Sequence, residues 1–200
     1  IGHGDFCKIQ IDSIFEYNKS SEFRTSRCWM GGNGGAIYSL NDSYLILKNT
    51  EFKGNNSTDG GAICVEGNFS DNIGSQKCDI DNCNFLQNYS ERGGAINNDL
   101  NLTISDCNFK DNTLKIIYND YGDSSEECDL SGASILNGKM GKVIVNNSNF
   151  EGSRQDIIRN KGTISLKKCQ FEDNHEINGF KVSIYENEKD DWWNGIKFIK

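Results

Sequence analysis

What this chain lacks narrows its class before any motif is considered. It has no proline. No apolar run approaches the roughly 18 residues that a membrane-spanning helix needs, so no membrane span is expected in this chain. A surplus of positive charge is missing too. Lys and Arg number 21 against 29 Asp and Glu, a net charge of −8, which argues against nucleic acid as a partner. Only two His are present, and no Cys-x-x-Cys occurs among the eight Cys, so zinc has no ligand spacing to use. The sustained i, i+3, i+4 stripe of an amphipathic helix is absent as well. The chain opens with neither Met nor a signal-like segment, which reads as a mature or excised piece of something longer.

What is abundant is asparagine, with 26 residues, and glycine, with 21. Two hundred residues suffice for one domain with a continuous core. Eight Cys without metal spacing point to an oxidising, extracytoplasmic setting. Asn18, Asn41, Asn55, Asn56, Asn68, Asn88, Asn101 and Asn146 each begin Asn-x-Ser/Thr. Composition alone gives about three such sequons, so the eight are an excess. N-glycosylation is one reading of that excess, and a Ser- and Asn-rich turn vocabulary is the plain alternative.

The organising feature is a repeat. GGAINNDLNLTISDCNFKDN (93–112) carries Gly-Gly-Ala-Ile, an alternating Leu-x-Ile, Cys-x-Phe and an Asn three residues after the Phe. The same succession runs through 33–55 and, interrupted, through 60–88; reduced copies lie at 9–18, 142–153 and 163–174. Phe15, Phe52, Phe85, Phe109, Phe150 and Phe171 set the register, with separations of 37, 33, 24, 41 and 21 residues. The short separations give a bare unit of one solenoid turn, and the long ones add insertions. Within a unit, Leu102 and Ile104 alternate, as do Cys107 and Phe109, yet three residues separate Ile104 from Cys107. One strand cannot slip phase without flipping its apolar set to solvent, so a corner is expected at Ser105-Asp106. Asn18, Asn55, Asn88, Asn112 and Asn174 are expected at a second corner, tolerating a left-handed turn and stacking as an amide ladder. The expected fold is all-β: one β-helix domain over 1–200 of about six coils, with its repeat core at 33–174. Insertions fall at 19–33, 64–78 and 113–130, and an irregular last coil or cap at 181–200.

Gly-Gly-Ala-Ile paired with Phe-x-x-Asn resembles the repeats of the polymorphic membrane proteins of chlamydiae. Similar repeats occur in adhesin-like surface proteins of methanogenic archaea and some parasitic protists. Both motifs occur together at 34–37 with 52–55, at 60–63 with 85–88 and at 93–96 with 109–112. The resemblance implies a right-handed, pectate-lyase-like parallel β-helix on an exported surface protein. It transfers no catalytic residue, because the motifs are structural.

Candidate site residues therefore lie in the interruptions, since loops on a rigid scaffold usually carry binding. Arg24, Arg27 and Trp29 in the first insertion, Tyr121 in the third, and Trp192 and Trp193 near the end are candidates for contact with a protein or glycan partner. Tyr44 joins them as a candidate exposed aromatic, and end-capping explains the two terminal Trp equally well. Cys64 with Cys78 is the first disulfide candidate and Cys7 with Cys28 the next. Cys83 and Cys107 share a slot in successive units and are either a disulfide or a column of buried thiols. Asn18, Asn55 and Asn88 double as ladder positions, so glycans are expected on Asn41, Asn56, Asn68, Asn101 or Asn146. Asp120, Asp123, Glu126, Glu127 and Asp129 offer carboxylates to calcium without EF-hand spacing; otherwise no cofactor is expected.

The reading is a non-enzymatic extracellular or cell-surface module whose partners are other extracellular proteins, glycans or copies of itself. The competing class is a polysaccharide lyase or glycoside hydrolase on the same scaffold. Five Arg, two His and no recurring carboxylate cluster tell against it, whereas a groove with two carboxylates and an Arg or Lys within reach would favour it.

Overall fold

Short alternating runs make strands with one buried face, and such strands must stack to bury it. The computed structural model describes residues 7–20, 23–25, 28–30, 32–40, 43–67, 77–114, 132–152, 157–172, 182–184 and 197–199. Three parallel sheets account for nearly all of the strands. The first sheet stacks Cys7–Ile11, Ser43–Lys48, Lys77–Asp81, Asn101–Ser105, Lys142–Asn146 and Thr163–Lys167 in that order. The second stacks Ile14–Glu16, Glu51–Lys53, Asn84–Leu86, Asn108–Lys110, Asn149–Glu151, Gln170–Glu172 and Lys197–Ile199. The third stacks Ile37–Leu40, Ile63–Glu66, Ile96–Asn98, Ile135–Asn137, Ile158–Asn160 and Val182–Ile184. The chain visits the sheets in turn and returns one rung further on. That is a parallel β-helix, as the repeat implies.

Register is set by the phenylalanines. Phe15, Phe52, Phe85, Phe109, Phe150, Phe171 and Phe198 pair rung by rung. From Phe15 to Phe171 successive ring centroids lie 4.7–5.2 Å apart with interplanar angles of 4–8°. Phe52, Phe85, Phe109, Phe150 and Phe171 are fully buried, and Leu47, Ile63, Ile80, Ile96, Leu102, Ile104 and Ile135 complete the core beside them. The absence of proline now has a reason. Backbone N–H groups donate to the neighbouring coil even through the corners, as Gly54 does to Leu86 and Asp106 to Asn146, and a proline would leave such a rung without its donor.

The corner between the first two sheets turns at Asn49, Asn82, Asp106, Asn147 and Lys168, all with φ of 46–56°, matching the phase slip in the sequence. The Asn corner needs a correction. Its left-handed residue is the one before the Asn, at Tyr17, Gly54, Gln87 and Asp111, and Gly152 takes the same place before Ser153. The Asn is free to point inward because its neighbour takes the turn.

Glycine has two distinct jobs at the entry to the third sheet. Gly93 has φ of 64°, and at Gly94 a Cβ would meet the Ala133 carbonyl oxygen at 2.1 Å, so the coils could not close there. A further copy of this entry, Gly132-Ala133-Ser134-Ile135, escapes the sequence reading because only one of its glycines remains. It holds the same rung, with Ile135 opposite Ile96.

Candidate functional site

Most of the polar residues that recur in the repeat are consumed by the scaffold. Asn18, Asn55 and Asn88 each donate from Nδ2 to the Oδ1 of the next coil's Asn, at 2.9, 2.9 and 3.0 Å. The backbone N–H of each donor residue reaches that same Oδ1 at 3.0 Å. Asn55, Asn88 and Asn112 also donate back to the carbonyls of Phe15, Phe52 and Phe85. The ladder foreseen at this corner is present through Asn18, Asn55, Asn88 and Asn112, and Asn174 lies outside the described residues. A second ladder, through Asn98, Asn137 and Asn160, was not foreseen; its inter-coil bonds are 2.9 and 2.6 Å. Its signal was available as Ile-x-Asn at 96–98, 135–137 and 158–160.

The cysteine pairings need correction. Cys64, Cys78, Cys83, Cys107 and Cys169 are all free, buried thiols. Cys64 lies between Ile63 and Val65, which face the core, so its own side chain points out of the third sheet, whereas Cys78 points into the core from the first. No staple can join them without turning one strand over. Cys83 and Cys107 share the slot two residues before the Phe with Thr50, Ser148 and Cys169. In this slot the side chain donates to its own coil's carbonyl two residues back, as Cys83 does to Asp81, Cys107 to Ser105 and Ser148 to Asn146. It accepts the N–H of the preceding coil, from Cys83 to the Cys107 sulfur and from Cys107 to Ser148 Oγ. A thiol here does the work of a hydroxyl. Its contact with Cys83, together with burial, pushes the Cys107 thiol up, and burial does the same to Cys78 and Cys169. Such thiols are poor nucleophiles. The side chains of Cys7 and Cys28 lie outside the described residues.

Charge gathers on one outer face. Asp59, 3 % exposed, is gripped by Arg92, with Nη2 to Oδ2 at 2.6 Å and Nε to Oδ1 at 2.5 Å. Glu66 accepts from the Tyr38 hydroxyl at 2.7 Å and from Asn33 at 3.2 Å, and the Cys64 thiol lies 3.6 Å from it. Burial and the bond to Glu66 push the Tyr38 phenol up to about 12. Burial, then the charge of Glu66, raises Asp99 above the usual carboxylate range. Burial opposes the charge on Arg92, but its bond to Asp59 wins and holds the guanidinium above its ordinary value.

The loops foreseen as binding elements are described only in part. Phe23–Thr25 and Cys28–Met30 form an antiparallel hairpin that places Arg24 opposite Trp29. Arg27, Tyr121, Trp192 and Trp193 lie outside the described residues, as do Asp120, Asp123, Glu126, Glu127 and Asp129. Asn41 and Asn68 do too. Tyr44 is half-buried, with its hydroxyl 2.6 Å from Asp79. Among the remaining sequons, Asn56, Asn101 and Asn146 are half-buried; Asn55 and Asn88 have no exposed surface and no amide hydrogen to spare for a glycan.

Residues 12–40 and 49–66 match the Chlamydia polymorphic membrane protein repeat. The chain carries repeats of that type. The matched stretches hold the first two Phe rungs and the first two Gly-Gly entries, and the later coils continue them in the same register. The repeat is that of a surface, adhesin-like family. No curated protein and no solved structure matched the chain.

Proposed function

We propose that this β-helix is a non-enzymatic structural and adhesive module displayed outside the cell or at its surface. Its partners are extracellular proteins, glycans or further copies of itself. The observation that carries this reading is the match of 12–40 and 49–66 to a surface, adhesin-like repeat. Two features of the site support it. The recurring Asn, Ser, Thr and Cys side chains are bound into the scaffold, and the thiols of Cys107, Cys78 and Cys169 are pushed up, the first by its contact with Cys83 and burial, the others by burial. Antibodies raised against the chain should label intact, unpermeabilised cells of the source organism. Labelling that needs permeabilisation would count against surface display. Turnover of neutral or acidic polysaccharides, read as unsaturated or new reducing ends, would count against the non-enzymatic part.

One observation favours a second reading, a polysaccharide lyase or glycoside hydrolase. Asp59, Glu66 and Asp99 act electrostatically on one another and on Arg92, and burial, then the charge of Glu66, raises the carboxyl of Asp99 above its ordinary value. Against it, Asp59 is already held by Arg92 and Glu66 by Tyr38 and Asn33, and the shift of Asp99 follows from burial and neighbouring charge alone. Should turnover be found, Asp99→Asn would abolish it if this cluster is the centre and would leave it intact if it is not.

A further inference from the structure

Two carboxylates meet where the third sheet gives way to the first. Val65 pairs with Asn98 and Asn98 with Asn137, so Glu66, Asp99 and Gly138 follow one another up a single column. Lys161 is the next member, because Asn137 pairs with Asn160. One rung is about 4.8 Å, close enough for each ionised carboxylate to disfavour the other. Elsewhere rung neighbours of opposite sign are matched: Lys48 with Asp81, Lys53 with Glu16 and Lys110 with Glu151.

The two carboxylates differ in what holds them. Glu66 accepts from the Tyr38 hydroxyl at 2.7 Å and from Asn33 Nδ2 at 3.2 Å, with the Cys64 thiol 3.6 Å away. Asp99 is half-buried, and among the described residues no side chain donates a hydrogen bond to it. Its carboxylate lies across the bare Cα of Gly138, where a Cβ would fall on it. Arg92, at the glycine entry of the same coil, is taken by Asp59 at 2.6 Å, and Asp59 adds a further negative charge. Lys161 acts from two coils on. Burial and Glu66 outweigh both cations, and the Asp99 carboxyl is raised.

We propose that Glu66 and Asp99 form an acid-tightened joint between coils, closed by a proton on Asp99 and loosened by its release. Uptake of the proton removes the repulsion from Glu66 and the cost of a charge in a half-buried place. The rung affected is the one where the Asp99 N–H donates to the Val65 carbonyl at 2.9 Å and the Gly138 N–H to the Asn98 carbonyl at 2.7 Å. Folded Asp99 holds its proton more firmly than the unfolded chain does. Its contribution to stability is therefore full below the ordinary aspartate value of about 4 and is lost as pH rises through the raised folded value. The joint goes beyond the adhesive reading and does not depend on it.

Asp99→Asn, close in shape to the protonated acid, fixes the joint in its closed form. In urea unfolding the variant should have the higher midpoint at pH 7, and the gap should vanish by about pH 4. At pH 7 the amide protons of Asp99 and Gly138 should exchange about tenfold faster in the wild-type chain than their counterparts in the variant, the scale of a one-unit shift. The amide of Asn88, on another corner, should exchange equally in both. A variant that is no more stable at pH 7, a gap independent of pH, or equal exchange at both amides overturns the proposal. NMR titration of the Asp99 carboxyl in the wild-type chain decides it without any variant: an inflection above the ordinary aspartate value is expected, and one at or below that value overturns the joint.

Discussion

Of the three amide ladders that climb the described coils, one lies inside the Asn corner and one outside another corner, and the same side chain does different work in each of these two. Inside, Asn55, Asn88 and Asn112 are buried, and each joins its coil to its neighbours through several bonds. Outside, on the corner between the first two sheets, Asn49 donates to Asp12 at 3.1 Å and Asn82 to Asn49 at 2.8 Å, both in contact with solvent. Asn147 likewise donates to Asp106. Water competes for every bond of the outer ladder and reaches none of those that join Asn55, Asn88 and Asn112. The inner Asn is therefore held by the cost of leaving its partners unbonded, and the outer Asn mainly by its tolerance of the left-handed turn.

Substitutions can break or sharpen that contrast, and urea unfolding ranks them. Phe109→Ala sets the upper bound: removing one fully buried ring from the column should cost about 3–5 kcal/mol, and a negligible loss would mean that the column is not the core. Asn88→Ala should follow at about 3 kcal/mol. It strands the Asn55 N–H and Nδ2 above, and the Phe52 carbonyl and Asn112 Oδ1 lose a donor. Asn82→Ala should cost only about 1 kcal/mol, chiefly for alanine at φ 51°, and Asn82→Gly should recover it. Cys107→Ser should change stability by less than about 1 kcal/mol, because Ser148 already fills the same slot. A larger loss would show that the thiol has a role of its own.

Titration adds a smaller test on the charged face. The Tyr38 phenol is raised to about 12, so the folded protein holds its proton past the point where the unfolded chain releases it. The stabilisation this brings is full below the ordinary tyrosine value and is lost as pH rises towards 12. Glu66→Gln should return that ionisation towards the ordinary tyrosine value in an ultraviolet titration. An unchanged curve would mean that burial alone holds the proton.

The fold was legible because one physical requirement recurs in every coil. A Phe at each rung, a phase slip of three residues and a glycine entry each restate the same turn, so chance has little room. The site was less legible, for identifiable reasons. Sequence spacing suggested that Cys64 and Cys78 bracket a loop, but it does not say that one strand turns its cysteine outward and the other inward. The equivalence of Cys83 and Cys107 with Thr50 and Ser148 was the available clue that these are hydrogen-bonding slots. Asp59, Arg92 and Glu66 escaped because they sit far apart in the chain and come to one face only when the coils stack.

The most direct test of the account is the lifetime of the asparagine side-chain protons in deuterium oxide, followed by NMR. If the inner ladder binds the coils, the Nδ2 protons of Asn55 and Asn88 will outlast those of Asn49 and Asn82 by orders of magnitude. Equal, rapid exchange at both corners would contradict it.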